Sequence, residues 1–243
     1  MEKNTSFALD QVQKIVVKVA WPQLEVDFDN GTDIRVFIAG DDTSVPQMQV
    51  GLMNEVFSIE QPQYGLWKNY RIGSWMQIML KVPKSYAHAV HISTVSGDCI
   101  VRGFAGDILD INTVNGKLIV NQVQSNTLML DSVNGSLTAR DIVCDTLKSK
   151  TVNGAFVYEN MQAKRVRASA VSAAQQYELA EGFESLDITS VSGNIDILQP
   201  HANLDVKVHA IAANVFYDDI NLSEEGIPVR INVITGSVKI KKK

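Results

Sequence analysis

Thr94-Val95-Ser96-Gly97, Thr113-Val114-Asn115-Gly116, Ser132-Val133-Asn134-Gly135 and Thr151-Val152-Asn153-Gly154 are near-copies of one tetrapeptide. Their glycines advance by 19 residues at every step. Ala170-Val171-Ser172-Ala173 follows after another 19, and Ser190-Val191-Ser192-Gly193 after 20. Ala210-Ile211-Ala212-Ala213 comes 20 later, and Val233-Ile234-Thr235-Gly236 closes the series after 23. A fixed short period marks a stacked architecture, in which each unit buries its apolar face only against its neighbours.

The residues between the tetrapeptides fall into columns. Counting each anchor glycine as zero, offset 2 reads Cys99, Leu118, Leu137, Phe156, and offset 4 reads Val101, Val120, Ala139, Tyr158. Offset 12 reads Leu109, Leu128, Leu147, Val166, and offset 17 reads Val114, Val133, Val152, Val171. Alternation inside each repeat is that of short strands. The pattern predicts an all-β fold: a single-stranded β-solenoid of the β-helix or β-roll kind, with 19–20 residues and two short strands per rung. All four columns are expected to point inward. An irregular N-terminal β cap is expected over 1–93 and regular repeats over 94–243, within one domain spanning 1–243.

Each rung needs corners. One is expected at Gly97, Gly116, Gly135, Gly154, Gly193 and Gly236, where either the asparagines Asn115, Asn134 and Asn153, stacked on one another, or the glycines that follow them take left-handed or turn conformations. The other is expected at offset 9, where Gly106, Ser125, Cys144, Ala163 and Gly182 are all small. Cys99 and Cys144 then lie two rungs apart, about 9–10 Å along the axis, too far for a disulfide. Asp98–Lys117, Asp131–Lys150 and Asp145–Lys164 become lateral pairs on the outer surface. The final strand, with Lys239 and Lys241 outward, reads as a charge-guarded end. Ile100, Ile119 and Val157 form an outward apolar row, expected to lie under part of residues 40–76 or a second copy of the chain.

The strand Ile78-Met79-Leu80-Lys81-Val82-Pro83, followed by Thr94-Val95-Ser96-Gly97-Asp98 and the recurring [ST]-V-[NS]-G segments, resembles the DUF4097 family of bacterial adhesin-like, LiaG-like β-strand repeat proteins. The resemblance spans roughly residues 12–240. It implies a solenoid-like all-β fold and a surface or envelope role, and supplies no catalytic residues.

Composition narrows the function classes. The net charge of -5 provides no basic footprint for phosphate, so no nucleic-acid partner is expected. No leader and no apolar run of about 18 residues is visible, which predicts no membrane span and a cytoplasmic protein as written, or an envelope-associated one if anchored through a partner. His88 and His91 alternate to opposite faces of a strand and cannot chelate one metal from it. No nucleophile, phosphate or metal motif occurs, so no catalytic residue, metal or cofactor is assigned. The aromatic cluster Tyr64, Trp67, Tyr70 and Trp75 is the candidate ligand platform, with cap packing as the other reading. Together these features point to a non-enzymatic binding or scaffolding protein, adhesin-like and linked to the bacterial envelope. Its expected partner is a protein or an envelope polysaccharide, and a homodimer is a further expectation. The competing expectation is a carbohydrate-active enzyme with its site on the 40–76 loops or the 213–236 insertion.

Overall fold

The computed structural model of the protein describes residues 1–62 and 74–243. Among them there is no α-helix; two 3-10 turns, Leu9–Gln11 and Val45–Gln47, interrupt a chain of strands. In chain order these are β1 (Glu2–Ala8), β2 (Lys14–Val19), β3 (Gln23–Asp29), β4 (Asp33–Gly40), β5 (Gln49–Met53), β6 (Val56–Glu60), β7 (Met76–Pro83) and β8 (Ala89–Thr94). There follow β9 (Cys99–Arg102), β10 (Ala105–Asn115), β11 (Leu118–Asn134), β12 (Leu137–Leu179), β13 (Ser185–Gln199), β14 (Asn203–Asp218), β15 (Asn221–Leu222) and β16 (Ile227–Lys242). All sixteen join one sheet, whose path β1-β4-β7-β3-β9-β11-β10-β8-β2-β6-β5 doubles back through the bent strand β11. The fold is all-β and solenoid-like.

The repeats pair in parallel and in register. Leu118 lies beside Leu137, Leu128 beside Leu147 and Asn134 beside Asn153, each 19 residues on. Like residues therefore stack on like, and the leucines of offsets 2 and 12 are fully buried. At the glycine corner the constraint is proximity. A Cβ built on Gly135 would collide with the carbonyl oxygen of Gly116, and one on Gly116 would meet the Gly97 oxygen at 2.6 Å. Gly116, Gly154, Gly193 and Gly236 also have positive φ, whereas Gly97 and Gly135 do not. Close backbone approach is the requirement they hold in common.

Pairing between β11 and β12 breaks at Gln122, Asn126 and Val133, leaving three paired runs and a lone pair at Asn134 per repeat, where two short strands were expected. The second turn of the backbone is at offset 6, where Gly103, Gln122, Asp141 and Asn160 all have positive φ between 51° and 79°. The small residues of offset 9 are paired within a strand instead, Ser125 beside Cys144. Their smallness marks a narrow interior there; the turn chemistry is carried by polar residues, some of which tolerate the left-handed region.

The cap expected over 1–93 is mostly regular strand. β2 pairs in parallel with β8, and β3 with β9, directly below the first tetrapeptide. β6 and β7 lie below them again. Among the described residues, antiparallel pairing is confined to β1–β4, β4–β7 and β5–β6. This pairing is out of chain order, since β2–β3 lies between β6–β7 and β8–β9, so no sequence period reveals it. The C-terminal end is also permuted: β16 pairs with both β13 and β14, and β14 is outermost. The lysine-bearing last strand is therefore interior to the sheet, contrary to expectation. Both cysteines are buried and free.

Leu147 is fully buried. Leu147→Ala is expected to lower stability by ~2–5 kcal/mol in urea unfolding; a loss well below 1 kcal/mol would place its column outside the core.

Candidate functional site: the tetrapeptide edge

The valines of offset 17 point outward, contrary to the expectation of an inward column. Val95, Val114, Val133, Val152, Val171 and Val191 are each 37–46% exposed. The cause is local: the residue before each valine, a Thr or Ser everywhere except Ala170, takes the inward place. Thr94, Thr113, Ser132, Thr151 and Ser190 are buried, and Thr94 Oγ1 donates to Thr113 Oγ1 at 3.0 Å. Alternation then sends the valine to solvent.

These side chains form a straight apolar ridge. In spatial order it runs Val95, Val114, Val133, Val152, Val171, Val191, Ile234, Ile211, because β16 lies between β13 and β14. Seven steps of about 4.8 Å give a length of ~34 Å. Ile211, at the free end, is 82% exposed. Along one flank runs an amide ladder: Asn153 Nδ2 donates to Asn134 Oδ1 at 3.0 Å, and Asn134 Nδ2 to Asn115 Oδ1 at 3.1 Å. Along the other flank is a shallow groove floored by Thr113, Ser132 and Thr151, with Asp131 and Lys150 on its wall. Burial pushes the Asp131 carboxyl above its ordinary value, against the pull of Lys150.

The other sequence-derived candidates are dispersed. Tyr64, Trp67 and Tyr70 lie outside the described residues. Trp75 is exposed and stands where the chain enters β7. Gln61 Oε1 accepts from Ala20 N at 2.8 Å, and Asp41 Oδ2 from Trp75 N at 3.3 Å. Asp41 also accepts from Thr43 and Ser44. Desolvation raises its pKa, but these donors outweigh it and hold the carboxyl at about 2.

Residues 213–236 are not an insertion; they hold the end of β14, β15 and half of β16. Their Asp218 is paired with Lys241 at 3.3 Å. Among the described residues no three His, Cys, Asp or Glu side chains gather as a metal site. His91 Nδ1 lies 3.1 Å from Asp110 Oδ2. Of the outer pairs, Asp145 and Lys164 form an ion pair at 2.5 Å, whereas Asp98 accepts from the Lys117 backbone. Ile100, Ile119 and Val157 are half-buried; the strands drawn from residues 49–60 pair at β2 and leave that row aside. Among the described residues no helix is long and apolar enough to cross a membrane.

The sequence profile of the Toastrack DUF4097 family matches residues 12–231. No curated protein matches the sequence significantly. Among solved structures, the chain is similar to a candidate lipid binding protein from Parabacteroides distasonis ATCC 8503, with 16% identity over 98% of this chain and 96% of that one, at a TM-score of 0.59. A candidate adhesin from Parabacteroides merdae ATCC 43184 is 13% identical over 100% and 96%, at 0.54. A second candidate adhesin, from P. distasonis, is 10% identical over 99% and 97%, at 0.52. At such identities the likeness is one of fold.

Two outcomes check this geometry. Asn134→Ala removes both contacts of the central rung of the amide ladder and is expected to cost about 1 kcal/mol; an unchanged denaturation midpoint would show that the ladder holds nothing. Asp41 is expected to titrate near 2, below the ordinary 3.8. Because its pKa falls on folding, its contribution is full above 3.8 and is lost as pH drops through about 2. A carboxyl 13C midpoint near 3.8 would contradict those hydrogen bonds.

Proposed function

The chain belongs to the Toastrack DUF4097 family, and on that footing we propose that it is a non-enzymatic binding or scaffolding protein, adhesin-like and associated with the bacterial envelope. The observation that carries the reading is the exposed ridge of branched aliphatic residues. A soluble surface rarely keeps so long a contiguous apolar strip unless something docks on it. The rungs of 19–20 residues, taken over 1–243 as one domain, hold this strip rigid. Few rotamers are lost when β-branched side chains are bound, which favours docking.

The chemistry of the ridge favours a protein over a polysaccharide. Sugar rings are gripped by planar aromatic faces, and the described ridge has none from Val95 to Ile211. Aliphatic knobs at a regular ~4.8 Å repeat suit the side chains of an extended segment or sheet face. The amide ladder supplies polar contacts on the rim, as interfaces commonly do. The adhesin and lipid-binding names of the similar structures are compatible with a binding role. Tyr64, Trp67, Tyr70 and Trp75 are proposed as a further, aromatic part of the binding surface.

The test is retention of envelope and cytosolic protein fractions on immobilised protein. Val133→Glu with Val152→Lys places two charges mid-ridge on exposed neighbouring positions, opposite in sign, so thermal stability should stay nearly constant. Loss of the retained proteins is expected. Undiminished retention would put the binding surface elsewhere, and turnover of a glycan panel by the wild type would overturn the non-enzymatic reading.

A further inference from the structure

The ridge has a groove of its own length beside it. Between the outward columns at offsets 15 and 17, the inward residues of offset 16 leave a trough from Ser93 and Val95 through Thr151 to Ser169 and Val171. The same trough continues past Val191 and Ile234 to Ile211, floored there by Ser190, Val233 and Ala210. It therefore accompanies the ridge over its whole length of ~34 Å. It ends on the outer rung, where residues 205–218 of β14 have a ladder neighbour on one side only. Ridge and groove share one direction and one period, because both are columns of the same stack of strands.

We propose that the partner of the ridge is a second copy of the chain: two solenoids lie side by side and parallel, related by a two-fold axis along the stack, with each ridge seated in the other's groove. The inference rests on the reading of the ridge as a docking surface and names its occupant. Period selects that occupant. Ridge side chains repeat at ~4.8 Å, whereas like-facing side chains of a single extended segment laid along the groove recur at ~6.8 Å. A helix face advances about 5.4 Å per turn. Either falls out of step within a few rungs, while a stack of strands keeps step to the end. This chain presents such a stack and carries knob and hole side by side. A surface of that kind is self-complementary, and a two-fold pair fills both grooves and closes. An antiparallel pair would set crest against crest and leave both grooves unfilled.

The polar borders of the strip match as well. One border is the offset 15 column, where Asp131 and Lys150 are the only acid and base from Ser93 to Asn232. The other is the offset 18 column, which carries the Asn115, Asn134 and Asn153 ladder and no charge. The two-fold sets one border against the other at each rung, twice per dimer. Asp131 then accepts from the amide of Asn134 of the second copy, and Lys150 donates to the carbonyl of its Asn153. The ladder leaves Asn134 a second N–H and Asn153 its Oδ1 for these bonds. A strip ~34 Å long and about 14 Å wide buries about 1,000 Å² over both copies, the lower end of specific interfaces, so micromolar association is expected.

The test is sedimentation equilibrium of the full chain at micromolar concentration, where the wild type is expected to have twice the chain mass. Val133 meets Val133 of the second copy across the axis. Val133→Glu and Val133→Lys each set like charges together, so either variant alone should raise the dimer dissociation constant roughly tenfold or more, and a mixture of the two should restore the dimer. A foreign partner gives no such rescue. Val133→Cys should cross-link to itself on mild oxidation, while the native cysteines are buried. Val95→Cys mixed with Ile211→Cys should give no mixed cross-link. A monomeric wild type, a mixture of the two charged variants that stays apart, or a 95-to-211 cross-link would overturn the proposal. The reading of the ridge itself fails separately. A monomer that loses its retained proteins in Val133→Glu with Val152→Lys removes the second copy and keeps the ridge as a docking surface for another protein; retention that survives those changes removes both.

Discussion

Everything in this molecule depends on adjacent backbones meeting at the tetrapeptide corner. Where Gly135 passes Gly116, and Gly116 passes Gly97, there is no room for a Cβ. That closeness fixes the register of each repeat on the last, and a one-residue slip would turn every inward side chain to solvent. Once register is fixed, the columns follow. Leucine stacks on leucine in the core, asparagine on asparagine at the rim, and valine on valine outside. The regularity of the binding surface is thus a by-product of the constraint that aligns the core.

The period and the burial of offsets 2, 4 and 12 were legible in the sequence, because like residues recur at each step. The direction of offset 17 was not. A valine column reads as core under any hydrophobicity argument, and the deciding feature is a hydroxyl. The Thr or Ser at offset 16 is short enough to turn inward at a crowded corner, bonding its neighbour as Thr94 and Thr113 do. The Thr or Ser before every ridge valine except Val171, which follows Ala170, was the available signal. The second turn was missed for a similar reason. Gln122, Asp141 and Asn160 read as ordinary surface polar residues, yet each adopts positive φ.

Spatial order was the other illegible quantity. Repeat counting assumes that neighbours in sequence are neighbours in space, and at both ends that fails. β2–β3 lies inside β6–β7, and β16 lies inside β14. The consequence differs between the ends. The N-terminal permutation leaves room for antiparallel strands that finish the core, whereas the C-terminal one leaves the outer rung unfinished. The lysines of β16 therefore stack as ladder neighbours, Lys241 against Asp218, and guard no edge.

The ridge is ordered in space as Val95, Val191, Ile234, Ile211, against the chain order of the last two. Spin labels introduced pairwise from position 95 to 191, 234 and 211 measure it directly by dipolar spectroscopy. Rung spacing predicts backbone separations of ~24, ~29 and ~34 Å in that order, from five, six and seven steps of about 4.8 Å. A 95-to-234 distance longer than 95-to-211 would contradict the inserted strand, and separations that do not grow with rung number would contradict the stacked repeats altogether.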